Sequence, residues 1–218
     1  MTTLIIATRN AHKVGEIRAI LGCSFRVLCL KDFPAAPPVV EDASTFAGNA
    51  AKKAVALAEW LHATAPSVMK DTESFVLADD SGLEVDILDG APGVHSARFA
   101  ALDSGAPGNS TDAANNAKLL RLLKDVPREK RTARFRCVLA LAKIAPVSAN
   151  CAPQLFEGAC EGHIEFAPSG GGGFGYDPLF VPDGFTQSFA ELGEDVKNRL
   201  SHRAKALQKL KDRLKVEG

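Results

Sequence analysis

The sequence predicts an α/β protein with a mixed, twisted central sheet that is flanked by helices. Two observations support this class: short apolar runs alternate with helical patterns in the first half of the chain, and longer strand-like segments dominate the second half. Neither an internal repeat nor a flexible linker is visible. We therefore expect one domain over residues 1–218, with two lobes that share a core.

The first half begins with an apolar run at Leu4–Thr8, which predicts a buried strand. Asn10 is a good N-cap for a helix that Gly22 ends, and a second strand is expected at Phe25–Leu30. Proline makes residues 33–40 a loop, and an Ala-rich helix is expected over Phe46–Ala63.

Residues Ala65–Ser74 are expected to form a polar loop. The second half then begins with a buried strand at Phe75–Ala78, which leads into Asp79-Asp-Ser-Gly82 and a further strand in which Leu83, Val85 and Ile87 alternate. Asp112 is expected to cap a helix over Ala113–Lys124. Longer strands are expected near Ala133–Lys143 and Leu155–Phe166. The last helical pattern runs from Val196 to Leu214, although Ser201 could cap a separate final helix.

Composition and charge exclude several classes of protein. The chain has 218 residues, of which 46% are apolar and 24% charged, as in globular domains. Cys137–Ala142 is the longest clean apolar run and is far short of the ~20 residues that a membrane helix needs. With no signal-peptide pattern either, we expect a cytoplasmic protein that does not bind membranes.

Basic and acidic residues are balanced, with 26 of each. Proteins that bind nucleic acid without sequence preference usually carry a basic excess, so no nucleic-acid partner is expected. The five cysteines include no Cys-x-x-Cys pair, which argues against a zinc or redox centre. A small anionic ligand remains compatible with this composition.

The turn after the first strand could bind phosphate. A helix N-terminus presents free N–H groups, and Thr8, Asn10 and Lys13 could add hydrogen bonds and positive charge. The alternative is that Asn10 only caps the helix and Lys13 is only solvated.

Four acidic residues, Glu41, Asp42, Asp79 and Asp80, could hold a metal. Consecutive strand residues point to opposite faces, so Asp79 and Asp80 cannot both face one cleft, and Asp-Ser-Gly is also a common turn. A carboxylate ~4 Å from a phosphate oxygen is repelled by about 4 kcal/mol at an effective dielectric of 20. Acids beside a polyphosphate therefore imply a bridging cation, and oxygen ligands suit Mg²⁺.

The glycine-rich segment Gly170–Pro178 matches G-x-G-x-x-G by its letters. A dinucleotide site is rejected, because proline and a strand-like run follow where a helix should begin. Strand-like geometry would place Phe174 and Tyr176 on one side as a stacking surface for a flat base. Alternatively, both rings enter the core.

Basic residues near the end of the chain form the fourth segment, Lys197 with Ser201-His202-Arg203. A basic amphipathic helix explains this pattern equally well.

The four segments described above, in their order along the chain, resemble those of the inosine triphosphate pyrophosphatase family, whose bacterial members are RdgB-like dITP/XTP pyrophosphatases. The resemblance extends from Ile5 to Leu210. It rests on six motifs: Ala7-Thr-Arg-Asn-x-x-Lys13, Thr45-Phe-x-x-Asn-Ala-x-x-Lys53, Ala78-Asp-Asp-Ser-Gly-Leu83, Gly90-Ala-Pro-Gly-Val-His-Ser-Ala-Arg98, Gly173-Phe-Gly-Tyr-Asp-Pro178 and Lys197-x-x-x-Ser-His-Arg203.

The resemblance implies Mg²⁺-dependent hydrolysis of ITP, dITP and XTP to the monophosphate and pyrophosphate, by a homodimer with its active-site cleft between two lobes. It implies that Asp80 is the general base and that Asp80 and Glu41 are the metal ligands. Asp79 would then be a residue that supports the site. The matching substrate contacts are Thr8, Arg9, Asn10, Lys13, Lys53, Ser81, Phe174, Gly175, Tyr176, Asp177, Lys197, His202 and Arg203.

Two positions depart from the family pattern: Arg9 replaces a frequent Gly, and Gly48 replaces a frequent Glu. Two other functions are alternatives for this sequence. One is a Maf-like pyrophosphatase that acts on other modified nucleotides, and the other is a non-catalytic nucleotide sensor.

Overall fold

The computed structural model describes residues 2–65, 73–145 and 152–216, with side chains as far as residue 214. A six-stranded sheet has the order β2-β1-β3-β4-β5-β6. β1 pairs in parallel with β2 and β3, and β5 pairs antiparallel with β6, so the sheet is mixed as predicted. The strands are β1 (Thr3–Ile6), β2 (Arg26–Cys29), β3 (Ser74–Val85), β4 (Thr132–Lys143), β5 (Gln154–Ile164) and β6 (Phe180–Pro182).

Five α-helices accompany these strands in the part of the chain that the structure describes. They are α1 (Ala11–Leu21), α2 (Phe46–Thr64), α3 (Asp112–Leu122), α4 (Phe189–Leu200) and α5 (His202–Val216). The positions of α1, α2 and α3 confirm the predicted helices to within a few residues. The predicted start of the last helical pattern at Val196 is wrong, because Ser188 caps α4 and the helix begins at Phe189. The middle of the predicted polar loop, residues 66–72, and the loop residues 146–151 lie outside the described residues.

The chain divides into two compact units. The first unit runs to Asp80 and includes the stretches from Cys137 to Glu157 and from Ala206 onward. The second unit contains Ser81–Arg136 and Gly158–Lys205.

The core of the first unit forms where β1, α1 and α5 bury their apolar faces. Leu4 and Ile6 alternate on β1, Ile17 lies on α1, and Leu207 and Leu210 lie on α5; all five are fully buried. The periodicity that predicted these elements therefore also predicted which side chains they bury.

The second unit has a core of its own, built around aromatic rings. Phe135 lies 4.8 Å from Phe180 and 6.1 Å from Phe189, measured between ring centroids. Leu119 on α3 and Leu83 on β3 complete this cluster and are fully buried.

β3 differs from the prediction in one important way. It is one continuous strand of 12 residues that runs through Asp79–Gly82, where the sequence equally favoured a turn. β1 pairs only with Ser74–Leu77 of β3, and β4 is the other neighbour of β3. The strand therefore continues through Asp-Ser-Gly beyond the end of β1, where the neighbouring strand β4 outweighs the turn preference of these residues. Ile87, expected to continue the alternation, lies in a 3-10 turn and is exposed.

Of two predicted helix boundaries, one is wrong and the other is confirmed. Thr111 caps α3 by accepting from the Ala114 N–H at 3.2 Å, so Asp112 is the first helical residue and not the cap. Ser201 separates α4 from α5, because its extended backbone ends one helix and its Oγ accepts from the Ala204 N–H at 3.2 Å. The alternative of a separate final helix is confirmed.

Among the described residues, no helix is both long enough and apolar enough to span a bilayer.

Candidate functional site

The turn between β1 and α1 places the first predicted site residues. Asn10 Oδ1 accepts from the backbone N–H groups of His12 (2.9 Å) and Lys13 (3.2 Å), so Asn10 caps α1 as predicted. Thr8 Oγ1 accepts from the Asn10 N–H at 3.2 Å and fixes the turn. The Arg9 guanidinium donates to the Ala36 carbonyl at 3.1 Å.

The side chain of Lys13 forms an ion pair with the buried carboxylate of Asp79. Its Nζ lies 2.6 Å from Asp79 Oδ1, and the Asp79 side chain is fully buried, whereas that of Lys13 is 15% exposed. Cys137 on β4 lies behind the pair, with Sγ 3.3 Å from Asp79 Oδ2. Asp79 therefore holds Lys13 in place while leaving the lysine partly accessible.

Lys53 on α2 is the centre of a second cluster. Its Nζ lies 2.6 Å from Glu41 Oε2 and 3.1 Å from Asp80 Oδ1, and it also donates to the Asp79 carbonyl at 2.9 Å. Glu41, Lys53 and Asp80, which were predicted from separate segments of the chain, thus meet at one ammonium group. Glu41 is the most exposed of the three, with 41% of its side chain accessible.

Burial and charge act in opposite directions on this cluster. Burial raises the pKa of Asp80 above its usual value, although Lys53 and Lys13 act against the rise. Burial alone would raise the pKa of Glu41, but the Lys53 ammonium outweighs it and the pKa is lowered. For Lys53, burial is likewise outweighed by Asp80 and Glu41, which raise its pKa and keep it charged.

Asp79 and Asp80 point to opposite faces of β3, as the alternation of strand side chains requires. Asp79 bonds Lys13 of α1, and Asp80 bonds Lys53 of α2. Each of the two carboxylates is therefore paired with a lysine of a different helix.

Asn49 is a site residue that sequence reasoning did not assign. Its Nδ2 donates to Asp80 Oδ2 at 3.2 Å, and its Oδ1 accepts from the Ala43 N–H at 2.9 Å. The signal available in the sequence was an Asn within an Ala-rich helix, one turn before Lys53. The structure shows that Asn49 is fully buried. Asn49 fixes both the carboxylate of Asp80 and the loop that follows Glu41.

The donor set of this cluster fits a cation that is shared with a ligand. Glu41 and Asp80 already contact one positive charge in common. Among the described residues, no group of three or more His, Cys, Asp or Glu could hold a metal ion alone. Mg²⁺ is typically held by one or two carboxylates together with water and substrate phosphates, which this pair can accommodate.

The second unit contains a separate polar centre at Asp177. Asp177 Oδ2 accepts from Lys197 Nζ at 2.5 Å and from the Phe174 N–H at 2.8 Å. Gly173 has φ +73°, and a Cβ there would lie 2.2 Å from Asp177 Oδ2, so a side chain cannot replace it.

Phe174 and Tyr176 diverge, which corrects the prediction that they share one side of a strand. Residues 175–179 form turns, and Gly175 adopts φ +64°. Lys197 Nζ lies 4.4 Å from the centroid of the Phe174 ring, while Tyr176 is buried and donates its hydroxyl to the Ser96 carbonyl at 2.9 Å. Burial also raises the pKa of Tyr176 well above its usual range. Tyr176 enters the core as the alternative predicted, and β6 follows the loop, which confirms the rejection of a dinucleotide site.

The start of α5 supplies the last predicted residues. The Arg203 guanidinium donates to Ser81 Oγ at 2.9 Å, and Arg203 is almost fully buried. The His202 ring stacks on Phe135 with centroids 4.9 Å apart and planes 14° apart. His202 and Arg203 are therefore held by packing and hydrogen bonds and do not lie on an exposed basic helix.

The fold and the lysine–carboxylate cluster define an α/β protein whose polar centre suits an anionic ligand together with a divalent cation. The chain belongs to the Ham1 family, whose model matches residues 4–213. This membership confirms the family that the six motifs indicated.

The relatives of this chain are similar over nearly their full length. A dITP/XTP pyrophosphatase of Desulforamulus reducens is 50% identical over 207 residues, which cover 94% of this chain and 92% of that protein. One of Geobacter sulfurreducens is 48% identical and covers 100% and 99%. The solved structure of a HAM1 protein from Coxiella burnetii has a TM-score of 0.80 at 34% identity and covers 99% of each chain.

Proposed function

We propose that this protein hydrolyses the deaminated purine nucleoside triphosphates ITP, dITP and XTP to the monophosphate and pyrophosphate. The observation that carries the proposal is the cluster in which Lys53 contacts both Glu41 and Asp80. The names of the relatives, dITP/XTP pyrophosphatases at 50% and 48% identity, supply the substrate class.

In this proposal, the first unit binds the phosphates and activates water. Lys13 and Lys53 are partly accessible ammonium groups that offset the charge of the triphosphate. Asp80 orients a water molecule and accepts its proton as the water oxygen attacks the α-phosphorus. The bond from the α-phosphorus to the bridging oxygen breaks, and pyrophosphate leaves with that electron pair.

Glu41 and Asp80 are the residues that would hold Mg²⁺. When bound, Mg²⁺ would neutralise part of the charge on the phosphate oxygens. Asn49 and Lys53 keep the Asp80 carboxylate in a defined orientation, which is the contribution of the chain itself.

The second unit is proposed to recognise the purine. The Phe174 ring offers a face on which a flat base can stack, a contact worth ~1–3 kcal/mol in other base-binding proteins. Arg203 carries donors only, so it can bind the 6-oxygen of hypoxanthine or xanthine but not the 6-amino group of adenine. Ser81, Gly175, Asp177, Lys197 and His202 complete the predicted contacts to base and sugar.

The test is release of pyrophosphate from ITP, XTP, dITP, GTP, ATP and a modified pyrimidine nucleoside triphosphate, with and without Mg²⁺. We expect fast release from the first three, only with Mg²⁺. Release from pyrimidine analogues instead would favour a Maf-like enzyme. Binding of ITP without any release would favour a nucleotide sensor.

We further propose that residues 1–218 act as one domain in a cytoplasmic homodimer, with the cleft that the resemblance implies, and that free nucleotides are the substrates. Light scattering after size exclusion tests the dimer, which would have twice the 23.1 kDa of the chain.

A further inference from the structure

The backbone of Gly175 is held from both sides by one helix. The Gly175 N–H donates to Asp112 Oδ2 at 2.6 Å, and Asn116 Nδ2 donates to the Gly175 carbonyl at 3.0 Å. Asp112 and Asn116 lie one turn apart on the same face of α3. We name this pair of hydrogen bonds the Gly175 clamp.

The clamp acts on the loop that carries the proposed stacking ring. Gly175 has φ +64°, and nothing lies within 4 Å of where its Cβ would be, so backbone conformation and not space requires glycine there. Phe174 precedes this peptide directly. Its own N–H is held by Asp177, so both peptides next to the ring are fixed.

Asn116 donates to the Gly175 carbonyl through Nδ2, although its own side-chain oxygen, Oδ1, is unsatisfied in the described structure. Asn116 is 8% exposed, and its buried Oδ1 has no hydrogen-bond partner within the described part of the chain. An unpaired buried acceptor costs stability, and an apolar side chain of similar size would avoid that cost. The retained amide therefore points to a role beyond packing.

α3 holds a second segment in the same manner. Asn115 Oδ1 accepts from the Ala100 N–H at 2.9 Å, and its Nδ2 donates to the Ala97 carbonyl at 3.3 Å. Tyr176 bonds the Ser96 carbonyl of that segment. The loop around Phe174 is thus fixed to α3 directly through Gly175 and indirectly through Tyr176.

We propose that Asp112 and Asn116 are positioning residues for purine recognition: they fix the Gly175 peptide and thereby the orientation of the Phe174 ring, without touching the nucleotide. This inference rests on the proposed function, because it assumes that Phe174 stacks on the base.

The test uses two disruptive variants and two controls. Asn116→Leu removes the donor together with the unsatisfied acceptor, and Asp112→Ala removes the acceptor for the Gly175 N–H. Asp112→Asn keeps that acceptor. Thr111→Ala weakens the cap of α3 without touching Gly175.

We expect KM for ITP to rise about tenfold in Asn116→Leu and Asp112→Ala, with kcat within about twofold, since a tenfold change matches the loss of one hydrogen bond. Asp112→Asn should stay within about threefold of wild type. Thr111→Ala should lower Tm but leave KM unchanged.

An unchanged KM in both disruptive variants would overturn the inference, as would an equal rise in KM in Thr111→Ala. Calorimetric binding of ITP in EDTA separates the two proposals. If wild type binds ITP in EDTA but does not hydrolyse it when Mg²⁺ is present, the proposed function fails. The ratio of variant to wild-type Kd then shows whether the Gly175 clamp supports binding of ITP. If wild type does neither, both fail.

Discussion

Each unit contains a lysine–aspartate pair of nearly equal length, but the two pairs differ in burial. Lys13 and Asp79 in the first unit are 2.6 Å apart, with 15% of the lysine and none of the aspartate side chain exposed. Lys197 and Asp177 in the second unit are 2.5 Å apart, with 4% and 2% exposed. The lysine of the first pair is therefore the more accessible of the two.

The difference separates two uses of the same chemistry. Asp177 accepts from a backbone N–H as well as from Lys197, so the second pair organises the loop of Phe174. A buried pair depends on having both partners, because a single charge left behind is uncompensated. The first pair, with Lys53 nearby in the same unit, keeps positive charge accessible.

The largest expected effect is on turnover, through Asp80→Asn. The variant keeps the size of the side chain but cannot accept a proton, so kcat should fall by ~10² to 10⁴-fold in the pyrophosphate-release assay. Asp125→Asn, an exposed carboxylate after α3, is the control and should turn over like wild type. Near-normal turnover in Asp80→Asn would contradict the assignment of the base.

The next effect is on stability, through Lys197→Met. Loss of the ammonium leaves Asp177 buried and charged, and should reduce the free energy of unfolding by about 3–5 kcal/mol in urea titrations. Lys205→Met, an exposed lysine of α5 in the same unit, is the matched control. A loss below about 1 kcal/mol would show that the second pair does not support the fold.

A smaller effect is expected for Lys13→Met, which should raise KM for ITP about tenfold because one accessible charge near the phosphates is lost. The buried Asp79 would also lose its partner and destabilise the protein. The double variant Lys13→Met with Asp79→Asn should regain stability but not KM. If the double variant regains both its stability and the wild-type KM, Lys13 has only a structural role.

The smallest effect is expected for a third pair, Lys118 with Asp103, in which the lysine is buried and the carboxylate is half exposed. Hydrogen bonds from Lys118 and Arg121 hold the pKa of Asp103 below its usual value. A lowered folded-state pKa stabilises the protein above the unfolded value of about 4, and this contribution is lost as pH falls through the folded pKa. Asp103→Asn should therefore lower Tm slightly at pH 7, and the difference should shrink as pH falls through the lowered pKa of Asp103. A difference that is constant with pH would contradict this.

Local rules predicted the elements that depend on neighbouring residues. Asn10 caps α1 and Gly22 ends it, as their side chains and backbone preferences indicated. Alternation along a strand also predicted correctly that Asp79 and Asp80 face opposite ways. It could not say which acid meets Lys53, because that choice depends on the packing of α2 on the sheet.

Local rules were wrong where distant partners outweigh them. Asp-Ser-Gly is common in turns, yet β3 continues through Asp80 and Ser81, beyond its pairing with β1, with β4 as its other neighbour. Glycines in the left-handed region turn the chain around Phe174, so the two rings diverge where a strand would have aligned them. Asn49 and Asn116 were missed because a buried amide shows its partner only when the chain has folded.

The sequence by itself determined the fold class, the positions of the helices and strands and the family, because apolar periodicity, caps and ordered motifs are written in neighbouring residues. Only the tertiary structure decided that Lys53 joins Glu41 to Asp80, that Asp79 holds Lys13, and that α3 holds Gly175. These contacts join residues far apart in the chain, and their strength depends on burial, which folding alone creates.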